Sequence, residues 1–321
     1  MAEASSCTSN SSLQWTAFYG DPQLAQFYFN RLRWHAKAGQ LLVSRQPTWS
    51  GGKGTISSAM VHSTDPEIFE RMTGLPYSLA MLLEMLQLTS SNDIDFIADA
   101  LPAGTATHNI AAHVMRDWFA DPACRWSELI NDKQVDDLRL EWIAACEKWL
   151  TGQNSNDATE LNQRMRALLR PKDAMSTVQN TVLESLIALS PPPPTNSAGR
   201  WRSITLGRGV HSKFMVAQFA LGWTTSDFAK ETELFQWFTE RQKQEPGGQF
   251  TEATLKVAQE EWSLLPKDHD YIAKEEYFFE HINSALAPIN ERLRNIVRRH
   301  LKAGLCPPEE GQISASPRTT Y

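Results

Sequence analysis

The chain has 321 residues, 41% of them hydrophobic and 21% charged. This composition can bury a sizeable core without staples, and at this length it predicts two domains. The formal net charge of −6 excludes a global attraction to nucleic acid or to an anionic membrane surface. Cys7, Cys124, Cys146 and Cys306 stand in no CxxC or other zinc spacing, no secretory leader is visible, and no apolar run reaches membrane-spanning length. Reduced thiols, a cytoplasmic location and no membrane partner are therefore expected.

Residues 1–12 are rich in Ser and Asn and are expected to lack order. Asp21-Pro22 opens the first helix, with Asp as the cap, Pro at the first helical position and Gly39 as the stop. Leu24, Ala25, Tyr28, Phe29, Leu32 and Ala36 share one face of it. The stretch 41–63 is the least helical. Its LLVS and ISSAMV segments predict a hairpin of two short strands around the turn SGGKGT. Asp65-Pro66 repeats the helix-start chemistry and Gly74 ends that helix. Pro76 opens the next, and further helices are predicted at 92–100, 106–120, 125–131, 133–151, 158–170 and 172–189. The helix at 133–151 is the most clearly amphipathic, with Val135, Leu138, Trp142, Ala145 and Trp149 at spacings of three and four.

Four consecutive prolines at 191–194 stop the helical pattern, because proline lacks the backbone donor and blocks a helix interior. A proline run stays extended and acts as a semi-rigid spacer. Beyond it WRSITL predicts a brief strand, GRG a turn, and helices follow at 211–222, 226–243, 251–265 and 268–303. Pro246-Gly247-Gly248 marks a turn, and Pro288 is expected to kink or split the last helix. The fold class expected is mainly α with a minor β element at most. A helical block over 13–190 is joined by a Pro-rich linker at 191–199 to a second block over 200–305, with a disordered tail at 306–321. Whether the blocks share one core is left open. The eleven tryptophans run from Trp15 to Trp262 and read as core anchors whose indole N–H groups need partners.

Several stretches invite chemistry. The GGKGT stretch fails as a phosphate loop, since Pro47 stands where the first glycine belongs and Gly54 where the hydroxyl residue belongs. It reads as a surface turn. The stretch 199–213 holds Arg200, Arg202, Arg208, His211 and Lys213 without an acid. A strand, then Gly207-Arg208-Gly209, then a helix would bring free backbone N–H groups and positive side chains together. Arg202, Arg208, Gly209, His211 and Lys213 are thus the candidate anion-binding residues. Ser212 stands where a dinucleotide fingerprint needs its third glycine. Arg292, Arg294, Arg298, Arg299 and Lys302 load the end of the last helix, while Leu293, Val297 and Leu301 form a stripe that wants burial. His113 and Asp117 share a helix face and read as a structural pair. Glu276, Glu280 and His281 lack the Glu-x-x-His spacing of a di-iron bundle and read as a solvated face.

No catalytic constellation, metal set or cofactor motif emerges, so no cofactor and no metal are assigned. The expectation is an interaction or accessory protein that works through helical surfaces and the cleft between the blocks, with a protein partner or self-association. One alternative is an enzyme or ligand binder that takes a phosphate-bearing ligand at 200–213. The other, nucleic-acid binding through 200–213 and 292–302, is the least expected for an acidic chain.

Overall fold

A computed structural model describes residues 15–44, 46–150, 157–169, 177–190, 203–263 and 269–304. The expected disordered N-terminus, the Pro-rich linker and the C-terminal tail, with Arg200 and Arg202, lie outside these residues. Fourteen α-helices and one two-stranded sheet build the described chain, so the fold is mainly α with a minor β element. The chain gathers into two compact units, each drawn from separated stretches. One holds Met1–Val114, Pro194–Arg202 and Ile296–Tyr321; the other holds Met115–Pro193 and Ser203–Asn295.

In the first unit, α1 (Pro22–Lys37) starts as expected, with the Asp21 carboxylate accepting from the Gln23 amide at 2.8 Å. Its Ala25, Tyr28, Phe29 and Leu32 are buried, and His35 joins them. The hairpin differs from expectation. Its strands are β1 (Trp49–Ser50) and β2 (Lys53–Gly54), with Trp49 opposite Gly54 and Ser50 opposite Lys53. Gly51 and Gly52 supply the positive φ values of 56° and 78° that a two-residue turn needs. Leu41 meets Gly54 only in an isolated parallel bridge. The ISSAMV segment is not a strand but α2 (Ile56–Val61). Every one of its residues is buried, so it has no solvent face for a strand alternation to serve. Its first turn is satisfied from a distance: the buried Glu84 carboxylate accepts from the Ser57 amide at 2.8 Å, the Thr55 hydroxyl at 2.7 Å, and the Ser57 hydroxyl. Glu84 lies on α4 (Tyr77–Met85), which packs on α2 and on α3 (Pro66–Thr73). Next, α5 (Ser91–Ala100) opens on a Ser90–Asp93 capping box and packs against α1.

The next helix, α6 (Ile110–Ala120), carries Trp118 and Phe119 into the core of the second unit, where Trp126 of α7 (Trp126–Ile130) and Trp142 of α8 (Lys133–Leu150) meet them. These three indole groups have the partners they need. Trp118 donates to the Ser212 hydroxyl at 3.2 Å, Trp126 to the Trp118 carbonyl at 2.9 Å, and Trp142 to the Ser190 hydroxyl. Around them lie α9 (Asp157–Leu168) and α10 (Thr177–Ala188), and α10 packs on α8 and α9. It also packs on α11 (Ser203–Ala220) and α12 (Thr225–Lys243), so helices from both sides of the proline run share this unit. Last come α13 (Glu252–Ser263) and α14 (His269–Ala303). Pro288 lies inside α14 without splitting it. One lost backbone bond is outweighed by the burial of Leu286, Ile289 and Leu293 on the same helix.

Candidate functional site

Over its described residues, from 203 onward, the segment expected to form a strand, a glycine turn and a helix start is one continuous helix. Residues 203–206 already belong to α11, which runs through Gly207 and Gly209 to Ala220. Two glycines inside a helix cost roughly 1 kcal/mol each. Burial of Met215, Val216 and Ala217 on the same helix outweighs that cost. The amides meant for an anion are therefore spent on helix bonds. Gly209 is buried, and its carbonyl accepts from the Ser212 hydroxyl at 2.7 Å. Arg208 is ion-paired with Glu184 of α10. His211 is half-buried on α11. Lys213 has no solvent exposure at all, and its Nζ donates to the Asn290 side chain at 3.0 Å. Burial first, and the nearby Arg294 charge second, bring its ammonium down to about 7. Of the other singled-out residues, Asp117 pairs with Arg116 at 2.6 Å, and His113 stacks on His300 at 5.2 Å. Arg292 reaches Asp121 at 3.2 Å, and Arg298 lies over the Phe96 ring at 4.5 Å. The Leu293, Val297 and Leu301 stripe is buried.

Another group in the second unit was not foreseen. Gln218 of α11, Asp227 and Glu231 of α12, and Tyr271, Lys274 and Glu275 of α14 are linked across the three helices. Gln218 donates to one Glu231 oxygen at 2.8 Å. Asp227 accepts from Lys274 at 2.8 Å and from the Thr224 amide and hydroxyl at 2.7 Å each. Burial pushes the Asp227 carboxyl up, but Lys274 and Thr224 outweigh it and hold the group below its ordinary range. For Glu231 burial wins, the Gln218 bond opposes it only in part, Glu275 adds repulsion, and the carboxyl is pushed up to about 7. Tyr271 is held well above its ordinary value by burial and by Glu275 and Glu231. An aromatic wall backs the group, with Trp223 against Phe228 at 5.5 Å and Tyr271 at 5.6 Å. The second Glu231 oxygen, the Gln218 carbonyl oxygen and the Trp223 indole nitrogen are buried without hydrogen-bond partners. A carboxyl poised near neutrality can take up or release a proton at pH 7, and displaced values of this kind cluster at functional sites. One sequence signal pointed here: Gln218 is the single polar residue in the apolar run 214–223.

The second unit also leaves large apolar side chains in water. Phe235 on α12 and Phe279 on α14 are 58% and 62% exposed. Leu255 and Val257 on α13 and Tyr277 on α14 are exposed as well. Among the described side chains of α13, Ala258 is the buried one. A polar cleft of about 500 Å³ opens beside Trp237, Arg241 and Glu261. Among the described residues no group of three or more His, Cys, Asp or Glu side chains is arranged to hold a metal ion. No helix there is long and apolar enough to cross a membrane. Comparison with known protein families, characterised proteins and solved structures gave no match.

Proposed function

We propose that this chain is an interaction or accessory protein that works through helical surfaces, holding a protein partner or a second copy of itself. The exposed apolar side chains of α12, α13 and α14 carry this reading. A scattered exposed leucine is ordinary. An amphipathic helix with its apolar residues mostly in water is not, and such surfaces mark interaction sites. Phe235, Leu255, Val257, Tyr277 and Phe279 supply aromatic and aliphatic groups of the kind that anchor interfaces.

The test is light scattering and cross-linking of full-length protein, with recovery of bound proteins from its own host. Self-association or a stoichiometric partner is expected. A Phe235→Ser/Phe279→Ser double variant with an unchanged circular dichroism spectrum should lose it. Shortening the proline run at 191–194 should weaken it. A strictly monomeric chain without a partner sinks the reading. Binding of a phosphate-bearing ligand at 200–213 is the weaker reading, because Arg208 is engaged by Glu184 and Lys213 is buried. It requires that Arg208→Ala abolish phosphate-ligand affinity.

A further inference from the structure

Building on the interaction reading above, we propose that the exposed face of α14 in the second unit is a docking surface for a basic, amphipathic helix of a partner protein. Charge is unevenly spread along the chain. Residues 225–291 hold 14 Asp and Glu against six Lys and Arg, a net of −8, while the whole chain carries −6. The stretch that leaves apolar side chains in water thus holds more than the chain's whole negative excess.

On α14 the two features meet on one face. No Lys or Arg stands between Lys274 and Arg292. Tyr277 and Phe279 are exposed, and so are Glu276 and Glu280. At about 100° per residue, both carboxylates fall between the two rings on the helix surface. Tyr271, Phe278, Leu286 and Ile289 are buried on the other side. Glu276 and Glu280 are four apart, and like charges at that spacing work against a helix. Neither has an ion-pair partner among the described residues. Lys or Arg side chains of a partner would offset the repulsion that the described chain leaves standing. The Tyr277 ring stacks on His281, with centroids 4.0 Å apart and planes at 25°. It is therefore ordered before anything binds and loses little freedom on binding. Exposed aromatic groups supply the apolar anchor, and charges of one sign around them select a partner of the opposite sign.

An exposed helix face is covered well by another helix, whose side-chain ridges fill its grooves. A second copy of this chain fits poorly. Two such faces would set like charges against each other. The chain's own basic helix end, 292–302, is already engaged: Leu293, Val297 and Leu301 are buried, Arg292 is paired with Asp121, and Arg298 lies over the Phe96 ring.

The experiment is fluorescence anisotropy, with full-length protein titrated into labelled synthetic peptides of about 18 residues, or five helical turns. One is an amphipathic Leu/Lys helix, the second a Leu/Glu helix of the same pattern, and the third a Ser/Lys peptide of the same charge without an apolar face. Saturable binding of the Leu/Lys peptide is expected, weakening about tenfold between roughly 50 and 500 mM salt as the charges are screened. The other two should bind about tenfold more weakly or not at all. Glu276→Gln/Glu280→Gln should weaken Leu/Lys binding about tenfold and leave the circular dichroism spectrum unchanged, since it removes a repulsion within the helix. Phe279→Ser should weaken it about as much. No binding of the Leu/Lys peptide, equal binding of either other peptide, or equal affinity in the Glu276→Gln/Glu280→Gln variant overturns the proposal. A dimer that tightens in that variant overturns it too and identifies a second copy as the occupant. The interaction reading survives each of these outcomes, and falls only if the full-length chain is monomeric and holds no protein at all.

Discussion

Glu231 and Lys213 are two side chains that burial brings close to neutrality, and each makes stability depend on pH in a defined direction. The Glu231 carboxyl is raised from 4.5 to about 7 on folding. Its contribution to stability is therefore fully present below pH 4.5 and is lost as pH rises through 7. The loss is on the order of 2–3 kcal/mol. Glu231→Gln keeps the shape and the Gln218 contact without the charge. Relative to wild type it should gain stability between pH 5 and pH 8 in denaturant unfolding, and a pH-independent difference would contradict the burial argument. Lys213 runs the other way. Its ammonium is lowered from 10.5 to about 7, so its contribution is present above pH 10.5 and is lost as pH falls through 7. Lys213→Met should stabilise the protein by roughly 1–3 kcal/mol at pH 6, and by less at pH 10. Sequence alone reads Lys213 as a solvated ligand-binding cation, because nothing local reveals that its turn of α11 faces a core. Gln218 was visible as a lone polar residue in an apolar run. Its partner Glu231 lies 13 residues away, on another helix.

Element boundaries follow local chemistry wherever that chemistry is complete. Asp21-Pro22 and Asp65-Pro66 start helices where expected, because the cap, the fixed proline φ and the following apolar face all act within one turn. The buried face of α8 also matches its spacing, from Val135 through Trp142. Two elements escaped such reading. The ISSAMV segment has strand-like composition, and Glu84, which satisfies its first amides, lies 27 residues beyond Ser57. The GRG sequence looks like a turn, yet α11 runs through it because the helix is held on its apolar side. This yields a sharp expectation. A Cβ at Gly207 would meet nothing within 4 Å and the backbone there is helical, so Gly207→Ala should raise stability by about 1 kcal/mol. A turn at this point would instead be damaged by alanine, and thermal unfolding distinguishes the two. Thr224 caps α12 through its hydroxyl and also bonds Asp227. Thr224→Ala should cost about 1 kcal/mol, and more if Asp227 loses its hold on Lys274.

At the scale of the molecule, the proline run divides the sequence into two helical blocks and leaves open whether they share a core, and each compact unit draws on both sides of that run. In the second unit α10 packs on α11 and α12. In the first, the Gly304 carbonyl, just past α14, accepts from the Ala106 amide at 2.8 Å, tying a residue beyond the proline run to one far before it. A fragment ending at residue 190 should therefore lack cooperative unfolding and expose Val182, Leu183 and Leu186, which are buried in the full chain. Dye binding and denaturant titration of the fragment test this, and a sharp two-state transition of native-like stability would show that the first block folds by itself. The sequence by itself determined the helical class, most helix starts, the apolar faces and the absence of familiar catalytic motifs, because those depend on contacts within one or two turns. Only the tertiary structure decided that residues 203–220 are one helix, that Lys213 is buried, and that Glu231 is joined to Gln218 with its second oxygen enclosed. Those outcomes depend on partners tens of residues away, and burial is a property of what packs on a side chain rather than of its neighbours in the chain.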